Sequence, residues 1–273
     1  MRFSRPFSLS PLLLCVAAFF ATQTFAEITN PPPLIVTGKP AYDPTSDYRE
    51  QNILGWRVMV NEKLLSETNL CAQTLKLLEA QLAQVTNVIP TMPLDQLRQI
   101  PIWVERSSKQ FPCMCYHESY EWLRSNGVNP DKTGGVELSN PENFLTWTKQ
   151  QPWMVLHELA HGYHKRSLGD NHPGIKRCYE AAKASKKYES VLRDGKRERH
   201  YAMNNEKEYF AEATEAYFGR NDFQPFTRDE LKEFDPEMFE VVRRVWQMPE
   251  SDTDCRPTRS GSPTDTRFFR LRQ

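Results

Sequence analysis

The run Met154-Val155-Leu156-His157-Glu158-Leu159-Ala160-His161-Gly162-Tyr163 constrains this chain more than any other stretch. It sets two histidines four residues apart, with a glutamate beside the first, inside apolar sequence. On a helix, positions i and i+4 share one face about a turn apart, so both imidazoles can reach a single zinc ion while Glu158 holds a water there. That arrangement is the one zinc-dependent hydrolases use.

A catalytic zinc takes three protein ligands and keeps a fourth position open. His164 lies on the same helical face but seven residues, about 10 Å of helix, from His157, so it is expected at the rim or the surface. The metzincin pattern wants glycine three residues after the second histidine and a ligand at the sixth; His164 and Ser167 stand there, which excludes that class. A glutamate from a second helix is the remaining source. Residues 205–219 read as that helix, with Phe210, Ala213, Ala216 and Tyr217 on one side and Glu208, Glu212 and Glu215 on another. Spacing alone leaves open which glutamate is the ligand.

The pairing of His-Glu-Leu-Ala-His with Glu208-Tyr209-Phe210-Ala211-Glu212 resembles the catalytic domain of anthrax lethal factor and its relatives, which are gluzincin metallopeptidases. The resemblance spans roughly residues 136–220. It implies an α+β, zincin-like fold: a small twisted sheet with an edge strand packed on the metal-binding helix, and a mostly helical C-terminal part. It also implies Glu208 as the third zinc ligand and Glu212, one turn on, as acceptor for the imidazole N–H of a ligand histidine. Tyr201 would donate to the developing oxyanion. The implied function is zinc metallopeptidase: Zn²⁺ held by His157, His161 and Glu208, a zinc-activated water, and Glu158 as general base on a peptide or protein substrate. Two other readings use the same motif, a zinc amidase acting on cell-wall peptides and a non-catalytic zinc-stabilised binding protein. The intact Glu158 speaks against the second, since a structural site closes its fourth position and needs no base.

Residues 1–26 read as a secretory signal: Arg2 and Arg5, an apolar core from Pro11 to Phe20, and cleavage after Ala26. The expected setting is therefore secreted or periplasmic, with no stable membrane insertion. Removing those residues, which hold two arginines and no acid, leaves 247 residues with 33 basic and 35 acidic side chains. Nothing in that balance calls for nucleic acid. Cys71, Cys113, Cys115, Cys178 and Cys255 remain. Export makes disulfides the expected state of Cys113 and Cys115, with the pairing open.

Residues 27–50 form a proline-rich, extended lead-in, 51–250 the zincin-like domain, and 251–273 a mobile tail. Within the domain, Trp56, Val58 and Val60 alternate as a strand, and Cys71, Leu75, Leu78, Leu82 and Val85 mark an amphipathic helix. Ile100–Val104 is expected as a strand, 117–135 as a turn-rich connection, and Val136–Leu138 as the edge strand that could pair with a substrate. Asn140-Pro141-Glu142 starts a helix, and Pro152 breaks it, so a fresh helix over 152–167 carries the motif. The charged stretch 169–205 reads as a solvated helical excursion. Thr227 to Glu230 is a capping box, and Asp235-Pro236 opens a last helix.

Overall fold

The computed structural model describes residues 41–250. The expected signal, most of the lead-in and the tail lie outside the described residues. In chain order the elements are β1 (Tyr48–Ile53), β2 (Trp56–Asn61), α1 (Glu62–Ser66), α2 (Thr68–Val88), α3 (Thr91–Leu97), β3 (Ile102–Val104) and β4 (Met114–Tyr116). They continue with α4 (Tyr120–Ser125), β5 (Val136–Leu138), α5 (Pro141–Trp147), α6 (Met154–Tyr163), α7 (Pro173–Ser185), β6 (Val191–Arg193) and β7 (Lys196–Glu198). The chain closes with α8 (Glu206–Phe218), α9 (Arg228–Phe234) and α10 (Pro236–Val245). The fold is α+β, a small mixed sheet followed by a mostly helical part.

The five-stranded sheet runs β1-β2-β3-β5-β4, with β2, β3 and β5 parallel and both edges antiparallel. Because side chains alternate along a strand, the register gives each face its own character. Val58, Val60, Ile102, Val104, Val136, Leu138 and Met114 belong to the core shared with α2 and α6. Tyr48, Met59, Trp103, Cys115 and Glu137 occupy the opposite face. Helix α6 can press against the sheet because Gly162 has no side chain; a Cβ there would lie 2.5 Å from Ile100 Cδ1 and 3.1 Å from the Tyr116 ring. The far end of α6 is pinned by Tyr163, which stacks on Trp246 at 4.3 Å and donates to Val245 O at 2.8 Å.

Several expectations change. Val136–Leu138 is interior, paired on both sides, and the free edge beside α6 belongs to Met114–Tyr116. That strand was hidden because its three residues are buried or half-buried on both faces and show no polar alternation. Strand β1 begins inside the supposed lead-in, and α4 occupies part of the supposed turn-rich connection. The charged excursion is a helix, α7, followed by a β-hairpin whose turn residues Asp194 and Gly195 both have positive φ, as a two-residue hairpin turn requires. Cys71, Cys115 and Cys178 are buried free thiols on three different elements, packing as small apolar side chains instead of forming the expected bridges. Cys113 Sγ lies 3.4 Å from Met154 Sδ.

Candidate active site

Helix α8 starts where Asn205 caps it, its side chain accepting from Lys207 N and Glu208 N at 2.9 Å each. That cap fixes Glu208 in the first turn, facing α6. There Glu208 Oε2 lies 3.1 Å from His157 Nε2 and 3.2 Å from His161 Nε2. The two rings meet edge to face, 4.8 Å between centroids. Two imidazole nitrogens and a carboxylate oxygen around zinc at 2.0–2.2 Å, with tetrahedral angles, would stand about 3.3 Å apart. Both separations from Glu208 match, and the three donor atoms all lie within 4.8 Å of one another, so the donor set fits zinc in number and type.

The other nitrogen of His157 sets the ring's orientation. His157 Nδ1 lies 2.7 Å from Glu215 Oε1, whereas Glu212 Oε1 is 3.9 Å away. The resemblance assigned this contact to Glu212; the geometry gives the bonding distance to Glu215. Residues seven apart return to within about 20° on a helix, two turns on, so Glu208 and Glu215 grip one imidazole from both ends. Glu212 stays buried next to them, with Oε2 lacking a hydrogen-bond partner.

Glu158 is buried beside the histidines, and one of its oxygens, Oε2, has no partner. The backbone of Tyr116, on the edge strand, acts to lower the pKa of its carboxylate. Tyr201 begins a short 3-10 turn, Tyr201–Asn204, and its side chain lines a cleft together with His157, Glu158, Met114, Trp147, Met154 and Phe223. His164 is not among the residues grouped with Glu208 as possible metal ligands; it is buried against Phe210, with neither ring nitrogen hydrogen-bonded, and is not the rim or surface residue expected.

The model of one family, "Anthrax toxin lethal factor, N- and C-terminal domain", matches residues 140–245, from the start of α5 to the end of α10. Over those residues, which carry the motif helix α6 and the acidic helix α8, the chain is similar to that family. No curated protein shows a significant match. A solved structure of the Pro-Pro endopeptidase PPEP-2 from Paenibacillus alvei is 21% identical over 71% of this chain and 99% of that one, with a TM-score of 0.39.

Electrostatics within the candidate site follow from burial and from four carboxylates set against two imidazoles. Burial alone would lower the His157 pKa, but hydrogen bonds to Glu208 and Glu215 outweigh it and hold the ring well above the usual imidazole value. Glu208 responds in the opposite direction: burial would raise it, yet His161 and His157 keep it well below the carboxylate range. Burial raises Glu158 despite both histidines, and it raises Glu212 strongly, with Glu215 and Asp222 adding repulsion. A bound cation would reverse much of this, drawing the proton off His157.

Glu215 and the β6–β7 hairpin are the parts of the cleft that sequence reasoning missed. Arg193 and Asp194 of the hairpin line it, and Arg193 is held by Asp222 at 2.7 Å over the ring of Phe223. The Asp-Gly pair between Val191 and Glu198 was the signal available.

Proposed function

We propose that this protein is an exported zinc-dependent metallopeptidase. The observation that carries the proposal is the convergence of His157 Nε2, His161 Nε2 and Glu208 Oε2, with the buried Glu158 carboxylate, one oxygen of which has no partner, beside them. The first 26 residues support export, to a secreted or periplasmic setting, and no helix among the described residues is long and apolar enough to cross a membrane. The lethal-factor match of residues 140–245 supports peptide-bond hydrolysis.

His157, His161 and Glu208 would hold the metal. When bound, zinc supplies Lewis acidity to the scissile carbonyl and lowers the pKa of water. Glu215 keeps the proton of His157 on Nδ1, leaving the Nε2 lone pair free for ligation. Glu158 takes the proton of the attacking water and passes it to the leaving amine. Its buried setting, which already raises its pKa, suits both halves of that transfer. Tyr201, in the same cleft, donates its hydroxyl hydrogen to the oxyanion as the carbonyl carbon becomes tetrahedral. The free edge of Met114–Tyr116 offers backbone groups to an extended substrate.

The test is Glu158→Gln in the chain that begins at Glu27, assayed for zinc and with a fluorogenic peptide library. Zinc should stay at the wild-type level, while kcat falls on the order of 10²- to 10⁴-fold. Wild-type turnover in that variant would refute the mechanism. Zinc without hydrolysis of any amide by the unmutated protein would favour a binding role.

A further inference from the structure

The residue just before Tyr201 is built more elaborately than a helix start requires. His200 is 1% exposed and precedes the 3-10 turn Tyr201–Asn204; its Nδ1 accepts the Ala202 N–H at 3.1 Å, and its own amide donates to Tyr188 O at 2.9 Å. Because Nδ1 accepts, a neutral ring must carry its proton on Nε2. Burial, with Arg193 adding to it, pushes this imidazole down to about 3, in keeping with a neutral ring. The ring is clamped: it stacks on Phe223 at 4.7 Å and 19°, and meets Tyr188 edge to face at 5.2 Å. Phe223 in turn carries the Arg193 guanidinium at 4.3 Å. Arg193, Phe223 and Tyr201 all line the catalytic cleft.

We propose that His200 is a positioning residue for Tyr201: one imidazole caps the turn and locks it to the aromatic wall of the cleft, fixing the direction from which the tyrosine enters. The proposal rests on the peptidase reading above. Two demands explain why a histidine stands here. An asparagine could cap the turn but could not stack, and a phenylalanine could stack but could not accept the Ala202 N–H. With the cap and the stack both present, the backbone that carries Tyr201 is tied to the wall of the cleft, which sets the point from which its side chain enters. A hydroxyl displaced by about 1 Å loses much of its value to a transition state, whereas substrate binding along the rest of the cleft is left alone.

The experiment is a double-mutant cycle in steady-state kinetics on one peptide substrate, using the zinc-loaded protein. Tyr201→Phe should lower kcat on the order of 10²- to 10³-fold. His200→Ala should lower kcat roughly 10- to 100-fold with KM little changed. His200→Asn and His200→Phe, each keeping one of the two functions, should fall between that variant and the wild type. In the Tyr201→Phe background, His200→Ala should add almost nothing, because the group it positions is gone. If His200→Ala costs the same factor in both backgrounds, His200 acts on something other than Tyr201 and the proposal is wrong. If Tyr201→Phe keeps wild-type kcat, the proposal also fails, while the peptidase reading stands on the Glu158 variant. Should His200→Ala not fold, as judged by thermal melting and zinc content, His200→Asn runs the same cycle with the same two outcomes.

Discussion

Among the described residues, two clusters of buried carboxylates, one on the outer face of the sheet and one between α6 and α8, differ in the source of their counter-charge. On the sheet, Lys132 Nζ bonds both Glu105 and, at 2.8 Å, Glu137. Tyr48 and Asn61 donate to Glu105, while Ser139 and His117 complete Glu137. Every carboxylate oxygen there has a partner from the chain itself. Between the helices, Glu158, Glu208, Glu212 and Glu215 face two imidazoles, and one oxygen each of Glu158, Glu212 and Glu215 has no partner. A buried charge needs a counter-ion or a proton, so the first cluster is complete as folded, while the second holds protons or, on the proposed function, a metal cation.

The contrast is broken most severely by removing what each cluster depends on. Glu208→Ala should abolish both stoichiometric zinc and hydrolysis, leaving the sheet and its melting largely intact; zinc analysis beside an activity assay checks this. Lys132→Met should do the reverse, destabilising the fold by about 3–5 kcal/mol in urea because two carboxylates are left buried together, with zinc content and kcat unchanged. If the Lys132 variant loses zinc, the clusters are not independent. Glu215→Gln should weaken zinc affinity roughly 10- to 100-fold, and Glu212→Gln less, since only Glu215 reaches His157 Nδ1. Equal effects would remove the distinction drawn between them.

The clusters should also separate on a pH axis. In metal-free protein the His157 pKa lies above its unfolded value of about 6.5, so its contribution to stability is full below that pH and is lost as pH rises through the raised value. Zinc must displace that proton, so its affinity should climb with pH and its uptake release protons. Glu137 is the opposite case: burial opposes it, but His117 and Lys132 bring it down to about 2. Its contribution is present above about pH 4.3 and is lost only as pH falls toward 2. Melting of apo and zinc-loaded protein between pH 5 and 9 should therefore diverge with rising pH. The smallest effect concerns His164, held down to about 4 by burial without hydrogen bonds. The unfolded chain takes up its proton first as pH drops from 6.5, so stability declines toward pH 4; His164→Phe should remove that decline, worth at most about 3 kcal/mol.

The two histidines of the candidate triad were legible because they depend on spacing, whereas the choice of Glu208 rested on the resemblance. His157 and His161 stand four positions apart, and Asn205 announces where α8 starts, so Glu208's place in the first turn, though not its role, follows from local rules. Which glutamate meets His157 Nδ1 was not legible, since α8 is buried on every side and its apolar stripe points no way in particular. The edge strand escaped for a related reason. Met114–Tyr116 is too short for an alternation to declare itself, and its place in the sheet is decided by pairing with Val136–Leu138 from a distant part of the chain. The hairpin was misread because the charges of residues 193–199 were weighed above the Asp194-Gly195 turn signal. His164 shows the limit of face arguments: the residues that bury it, Phe210 among them, come from another helix.

Zinc content after equilibrium dialysis tests the central claim most directly, measured on the wild type, Glu158→Gln and Glu208→Ala in parallel. The helix-borne cluster predicts one zinc per chain in the first two proteins and none in the third. Wild-type protein that retains no more zinc than Glu208→Ala would contradict it.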